Sequence, residues 1–157
     1  MKILKKIFLG LLVLFVVLQF FTPKKNIAHT NHDLTFITET RPTNEVRDLL
    51  TTSCYDCHSN HTEYPWYNNV APVSFWISGH IAEGKEHLNF SEWNALSNKQ
   101  KAHKLKELIT EVTEKKMPLP SYTWIHGDAK LTDIEIDSII AWANKTLILY
   151  QLNALPN

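Results

Sequence analysis

The sequence predicts an all-α domain carried behind an N-terminal membrane helix, and three observations point there. Positions 7–21 form an uncharged, mainly apolar run behind a cluster of lysines. From Thr43 onward apolar residues recur at helical spacing, with almost none of the alternation a strand would show. The clearest periodic segments carry their own start or stop signals. At 157 residues the chain has room for one ordinary domain.

The N-terminal element comes first. Lys2, Lys5 and Lys6 precede Ile7–Phe21, IFLGLLVLFVVLQFF, which is how an export signal looks. The positive end stays in the cytoplasm, so the chain beyond the apolar run is expected to be periplasmic. The run is short, because a bilayer core asks for about 20 residues, although lysine stems can snorkel to the headgroups. It is followed by Thr22, Pro23, Lys24, Lys25, Asn26 and Ile27, which offer no small-residue cleavage site and no cysteine for a lipid. Residues 1–22 therefore read as an uncleaved inner-membrane anchor, the alternative being a cleaved signal and a soluble periplasmic protein. Residues 23–42 are polar and aperiodic and read as a linker, with His29 and His32 as exposed loop histidines. The domain is then 43–157.

Within the domain, Val46, Leu49 and Leu50 share one face of a short helix over Asn44–Thr52 that runs directly into Cys54. Pro65 and Pro72 mark an irregular aromatic stretch from Tyr55 to Pro72. Val73–His87 can form a helix with Gly84 as a weak point, and Ser91 is the cap expected before the next segment. Lys101–Lys115 places Leu105, Leu108, Ile109 and Val112 on one face and is stopped by Pro118 and Pro120. The last helix begins at a Thr132/Glu135 capping box and runs through Ile136, Ile139, Ile140 and Ala143. Three to five short helices are thin coverage for a core, which leaves room for a non-protein centre.

Composition excludes several classes. From Thr43 the chain holds ten basic and fourteen acidic residues, a net charge of −4 and no footprint for nucleic acid. Four glycines without a Gly-rich turn exclude a phosphate loop or a dinucleotide fingerprint. Two cysteines cannot build a disulfide framework or a four-cysteine zinc site.

Those two cysteines lie in Cys54-Tyr55-Asp56-Cys57-His58, which is C-x-x-C-H, the attachment sequence for one covalent haem c. Two thiols on one turn can reach the two vinyl groups of a porphyrin, and the following imidazole can serve as the proximal iron ligand. Three other readings compete. A thioredoxin-like pair normally follows a strand, and here a helix precedes it. Zinc lacks a second ligand pair at the right spacing. A plain disulfide leaves His58 unexplained.

Met117, the only methionine besides the initiator, sits in Lys116-Met117-Pro118-Leu119-Pro120, just after the amphipathic helix. Its thioether is the expected distal ligand, against the plainer role of core gap-filler. Among the histidines, His61 is too near His58 to cross to the other haem face. His80 and His87 share a helix face at a spacing poor for a metal pair, and His103 is on a polar face. His126 is the alternative to Met117. Trp66, Tyr67 and Trp124 are the candidate haem-contact aromatics, and ordinary core packing would use the same residue types.

The stretch CYDCHSNHTEYPWYNNVAPVSFWISGHIAEGKEHLNFSEW, a charged helix and then MPLPSYTWIH resembles the bacterial haem-binding domain family related to class I c-type cytochromes. The resemblance runs from Val46 to Ala143, with C-x-x-C-H, P-W-Y, L-N-F-S-E-W and M-P-L-P-S-Y in the family's order. It implies a small class I cytochrome c-like fold, covalent haem at Cys54 and Cys57, and iron ligation by His58. It also implies that Met117 falls where such cytochromes carry their methionine. The expected function is single-electron transfer to a redox partner protein rather than catalysis. The alternatives are a haem peroxidase or gas or redox sensor with a displaceable sixth ligand, and a non-haem module.

Overall fold

The computed structural model describes residues 2–28 and 33–152; His29 and His32 lie outside the described residues. Among these residues it is helical, with one isolated bridge and no strand. The helices are α1 (Lys2–Leu18), α2 (Leu34–Thr40), α3 (Asn44–Ser53), α4 (Tyr55–His58), α5 (Val73–His87), α6 (Asn98–Thr113), α7 (Pro120–Thr123) and α8 (Asp133–Gln151). Three short 3-10 helices, Trp66–Asn69, Phe90–Ala95 and Gly127–Ala129, lie between them. The domain thus holds more helices than its periodicity suggests, because α2, α4 and α7 are too short to repeat a pattern.

Capping boxes start the two long helices. Thr132 and Glu135 begin α8 as expected, and Ser97 and Gln100 begin α6 a few residues ahead of its visible periodicity. α8 also continues beyond Ala143 to Gln151. The two helices make the most extensive pairing in the fold. Leu105, Leu108 and Val112 of α6 join Ile136, Ile139 and Ala143 of α8 in one buried cluster. The 3-10 helix after α5 is capped by Asn89, whose side chain accepts from the Ser91 amide, so Asn89 and not Ser91 is the cap.

The expectation of a linker over 23–42 is corrected by two observations. Phe36 of α2 is fully buried at the centre of an aromatic cluster, with ring centroids 4.6 Å from Phe90, 5.1 Å from Trp93 and 5.9 Å from Trp142. Burying such a side chain is worth about 1.5–3 kcal/mol. Beside it, the buried Lys101 ammonium meets Glu39 at 2.7 Å, and Glu39 also accepts from Tyr150, which accepts from the Trp93 indole. Little more than one helical turn, FITE, carries all this. It is too little sequence to announce a core helix.

The second observation lies nearer the anchor. Asn26 donates from its amide side chain to the Ser59 carbonyl and the Thr62 hydroxyl, and its side-chain oxygen accepts from Lys85 at 2.8 Å. Ile27 pairs with His61 in the isolated bridge. Residues 26–28 are therefore a strap bonded across the loop after α4, and the domain begins there rather than at 43. Ahead of the strap, α1 buries none of its residues. Among the described residues no helix is long and apolar enough to cross a membrane.

Candidate functional site

The site is built where α3 gives way to α4. Thr43 caps α3, and the helix closes at Cys54, whose amide donates to Leu50. Cys54 then leaves helical geometry, and its own carbonyl accepts from the amides of Cys57 and His58 at 3.2 and 2.9 Å. This single turn brings Cys54, Cys57 and His58 to the wall of one cavity of about 780 Å³. Cofactor and ligand sites typically enclose about 300–1,000 Å³. Its apolar walls include Leu88, Phe90, Leu108, Val112 and Leu119, so the pocket opens directly off the core cluster.

Gly84 explains why α5 can lie against that turn. A Cβ at this position would stand 2.7 Å from the Cys57 carbonyl oxygen and 3.1 Å from its Cβ. The residue that reads as a helix-weakening glycine is the point of closest approach between α5 and the motif. The same helix end orients His58. Its Nδ1 lies 3.0 Å from the Leu88 carbonyl, which can only accept, so Nδ1 carries the proton and Nε2 keeps its lone pair. Burial holds the imidazole below its usual pKa, against the opposing pull of the Leu88 and Gly84 carbonyls. A neutral, orientated imidazole with one free nitrogen is the form that ligates a metal.

Both cysteines are free thiols. Burial, and then the proximity of Cys57, pushes Cys54 up to about 12. Burial, and then Asp56, pushes Cys57 up to about 11. On the same wall the buried Ser53 hydroxyl finds no hydrogen-bond partner among the described residues. Two thiols, an imidazole and an apolar enclosure of this size fit a haem, and the unpartnered Ser53 hydroxyl lines the same space.

Met117 lines the same cavity. After α6, Lys115 takes a left-handed conformation with φ 54°, and the amides of Lys116 and Met117 both donate to Glu111. This turn sends the Met117 loop back along the pocket. The loop is tied to the motif by Tyr122, which donates to the Asp56 carboxylate at 2.7 Å and itself lines the cavity. The mouth carries side chains of both signs, among them His80, His87, His103, Lys104, Lys106 and Glu107.

The other sequence candidates fall elsewhere. His126 does not line this cavity; its Nε2 is 2.7 Å from the Tyr67 hydroxyl and its ring stacks on Tyr122 at 4.4 Å. With Tyr67 it lines a separate small pocket of about 60 Å³. Trp66 and Trp124 are 80% and 87% exposed and touch neither wall, so the expectation that they contact the cofactor is corrected. Their aromatic side chains suited an apolar haem wall, but both stand outward from the short helices that carry them. The aromatic residues that do line the cavity are Phe90 and Tyr122. Both lie inside the stretches LNFSEW and MPLPSY, where the family pattern was visible but the individual roles were not.

No curated protein and no solved structure matches the chain. A family pattern does, over residues 13–145, a span that takes in the strap, the motif turn, the Met117 loop and most of α8. The chain belongs to the haem-binding domain family.

Proposed function

We propose that this protein is a membrane-tethered, periplasmic mono-haem cytochrome c-like electron carrier. The observation that carries the reading is the convergence of Cys54, Cys57, His58 and Met117 on one apolar cavity. A haem bound there would supply one-electron chemistry by cycling its iron between two oxidation states. Cys54 and Cys57 would add their S–H bonds across the two vinyl groups, which forms two thioethers and releases nothing. His58 would offer Nε2 to the iron, held in place by the Leu88 carbonyl. Met117 would offer its sulfur to the iron as a second ligand, a soft thioether that favours the reduced metal. Phe90, Leu108 and Val112 would exclude water from the ring. With two iron ligands supplied by the chain, electron transfer would be favoured over catalysis.

The tether is part of the same reading. α1 buries none of its 17 residues and leaves its apolar side chains exposed as far as Val17, with lysines in its first turns that suit the cytoplasmic side. Covalent attachment suits an exported domain, since a lost haem could not be replaced there.

The experiment is production of the full chain with a haem c maturation system, followed by a pyridine haemochrome spectrum and haem staining of a denaturing gel. Thioether-linked haem that stays with the polypeptide is the expected result. Haem that dissociates on denaturation, or none at all, would contradict the covalent assignment.

A further inference from the structure

We infer that the face bearing Trp66, Trp76 and Trp124 lies on the lipid headgroups and fixes the orientation of the haem domain on the membrane. The inference rests on the tether proposed above and adds what the tether does to the domain.

The end of α1 does not lead into a free spacer. The Gln19 side chain both donates to the Ala71 carbonyl at 3.2 Å and accepts from the Ala71 amide at 3.0 Å. The last apolar turn of the anchor is therefore bonded to the chain entering α5. At about 1.5 Å per residue its 17 residues reach about 25 Å, short of a hydrocarbon core of about 30 Å. A helix this short is accommodated by thinning of the bilayer or snorkelling of its flanking residues, and either brings the headgroups to its ends. The domain end is then pulled against the bilayer with Ala71.

The residues around Ala71 are those that an interface suits. Phe75 and Trp76, in the first turn of α5, are 42% and 50% exposed. Trp76 and Ile125 line the same small pocket as Tyr67 and His126. Trp66 flanks Tyr67, and the Trp124–Ile125 pair precedes His126, so the bond between Tyr67 and His126 ties the two segments together; Trp66, Trp124 and Ile125 are all exposed. Tryptophan is the residue whose apolar body and polar N–H fit the headgroup layer. Lys25 belongs to the same side, with its ammonium 3.4 Å from Asn69 and over the Tyr64 ring, where anionic lipid would be met. A protein partner would meet this patch without any need for the short anchor to end on it. The lipid surface accounts for both.

The test uses the full holo-chain in vesicles of about 3:1 phosphatidylcholine to phosphatidylglycerol, diluted so that each vesicle carries a single copy and no second chain can cover the patch. After an alkaline carbonate wash, hydroxyl-radical oxidation is read residue by residue by mass spectrometry and normalised to intrinsic reactivity. Trp66 and Trp124 should be oxidised about fivefold less than Ile134, an exposed residue outside the patch and the cavity. Protein retained through the wash with Trp66 and Trp124 oxidised as readily as Ile134 would overturn the inference and leave the tether standing. Protein released by the wash would overturn the tether and the inference with it.

Discussion

The two halves of this domain are held together by different physics. On one side α2, α6, α8 and the 3-10 helix from Phe90 close a continuous core, with Phe36, Phe90, Trp93 and Ile139 almost fully buried. On the other side α4, α5, one face of α6 and the Met117 loop enclose a cavity of about 780 Å³, and α5 is set against the motif by a close glycine contact and by the bond between His58 and Leu88. Phe90 belongs to both, touching Phe36 at 4.6 Å and lining the cavity. The first half packs itself, whereas the second leaves an apolar cavity that the proposed haem would fill.

The largest effect should come from removing the cofactor's attachment. Cys54→Ala/Cys57→Ala should abolish covalent haem and lower the melting temperature, because a ligand confined to the native state stabilises it. Hydrogen exchange should quicken first in α4 and α5, while α6 and α8 keep the slower exchange. Uniform loss of protection across all four helices would break the comparison.

Next in size is the core half. Phe36→Ala should cost about 3–5 kcal/mol in urea unfolding of the holo-protein, since it empties the centre of the aromatic cluster. A change within experimental error would return residues 34–40 to the status of a linker. Smaller still is a pair on α5. Gly84→Ala should cost about 1–3 kcal/mol by driving a methyl into the Cys57 carbonyl. Gly79→Ala, with nothing within 4 Å of its Cβ, should be neutral or gain up to about 1 kcal/mol. Equal effects at the two positions would remove the argument that α5 is gauged to the motif. The smallest effect is expected at the strap. Asn26→Ala should cost about 1–2 kcal/mol through its lost bonds to Ser59, Thr62 and Lys85, read by the same unfolding.

Much of this was legible in the sequence, and the parts that were not have physical reasons. The motif Cys54–His58 and the Met117 loop could be picked out because their residue types are rare in the chain and chemically specific. α6 and α8 were legible because several turns repeat their apolar spacing. Phe36 was not, because one buried ring in a short helix has no period to display. Gly84 was misjudged because propensity describes a helix alone, and its value here comes from what lies against it. Trp66 and Trp124 were misplaced for the converse reason. Their chemistry suits an apolar wall, and only the turn at Tyr67 and His126 shows that they face outward.

The central claim is that a haem in this cavity is held between His58 and Met117, and carbon monoxide binding to the reduced holo-protein tests it most directly. The wild-type spectrum should be unchanged by the gas, because both axial positions are filled. Met117→Ala should open the iron and give a carbon monoxide complex, while His126→Ala, whose side chain lies outside the cavity, should remain unreactive. A wild-type protein that binds carbon monoxide freely, or a His126→Ala variant that binds it while Met117→Ala does not, would contradict the account.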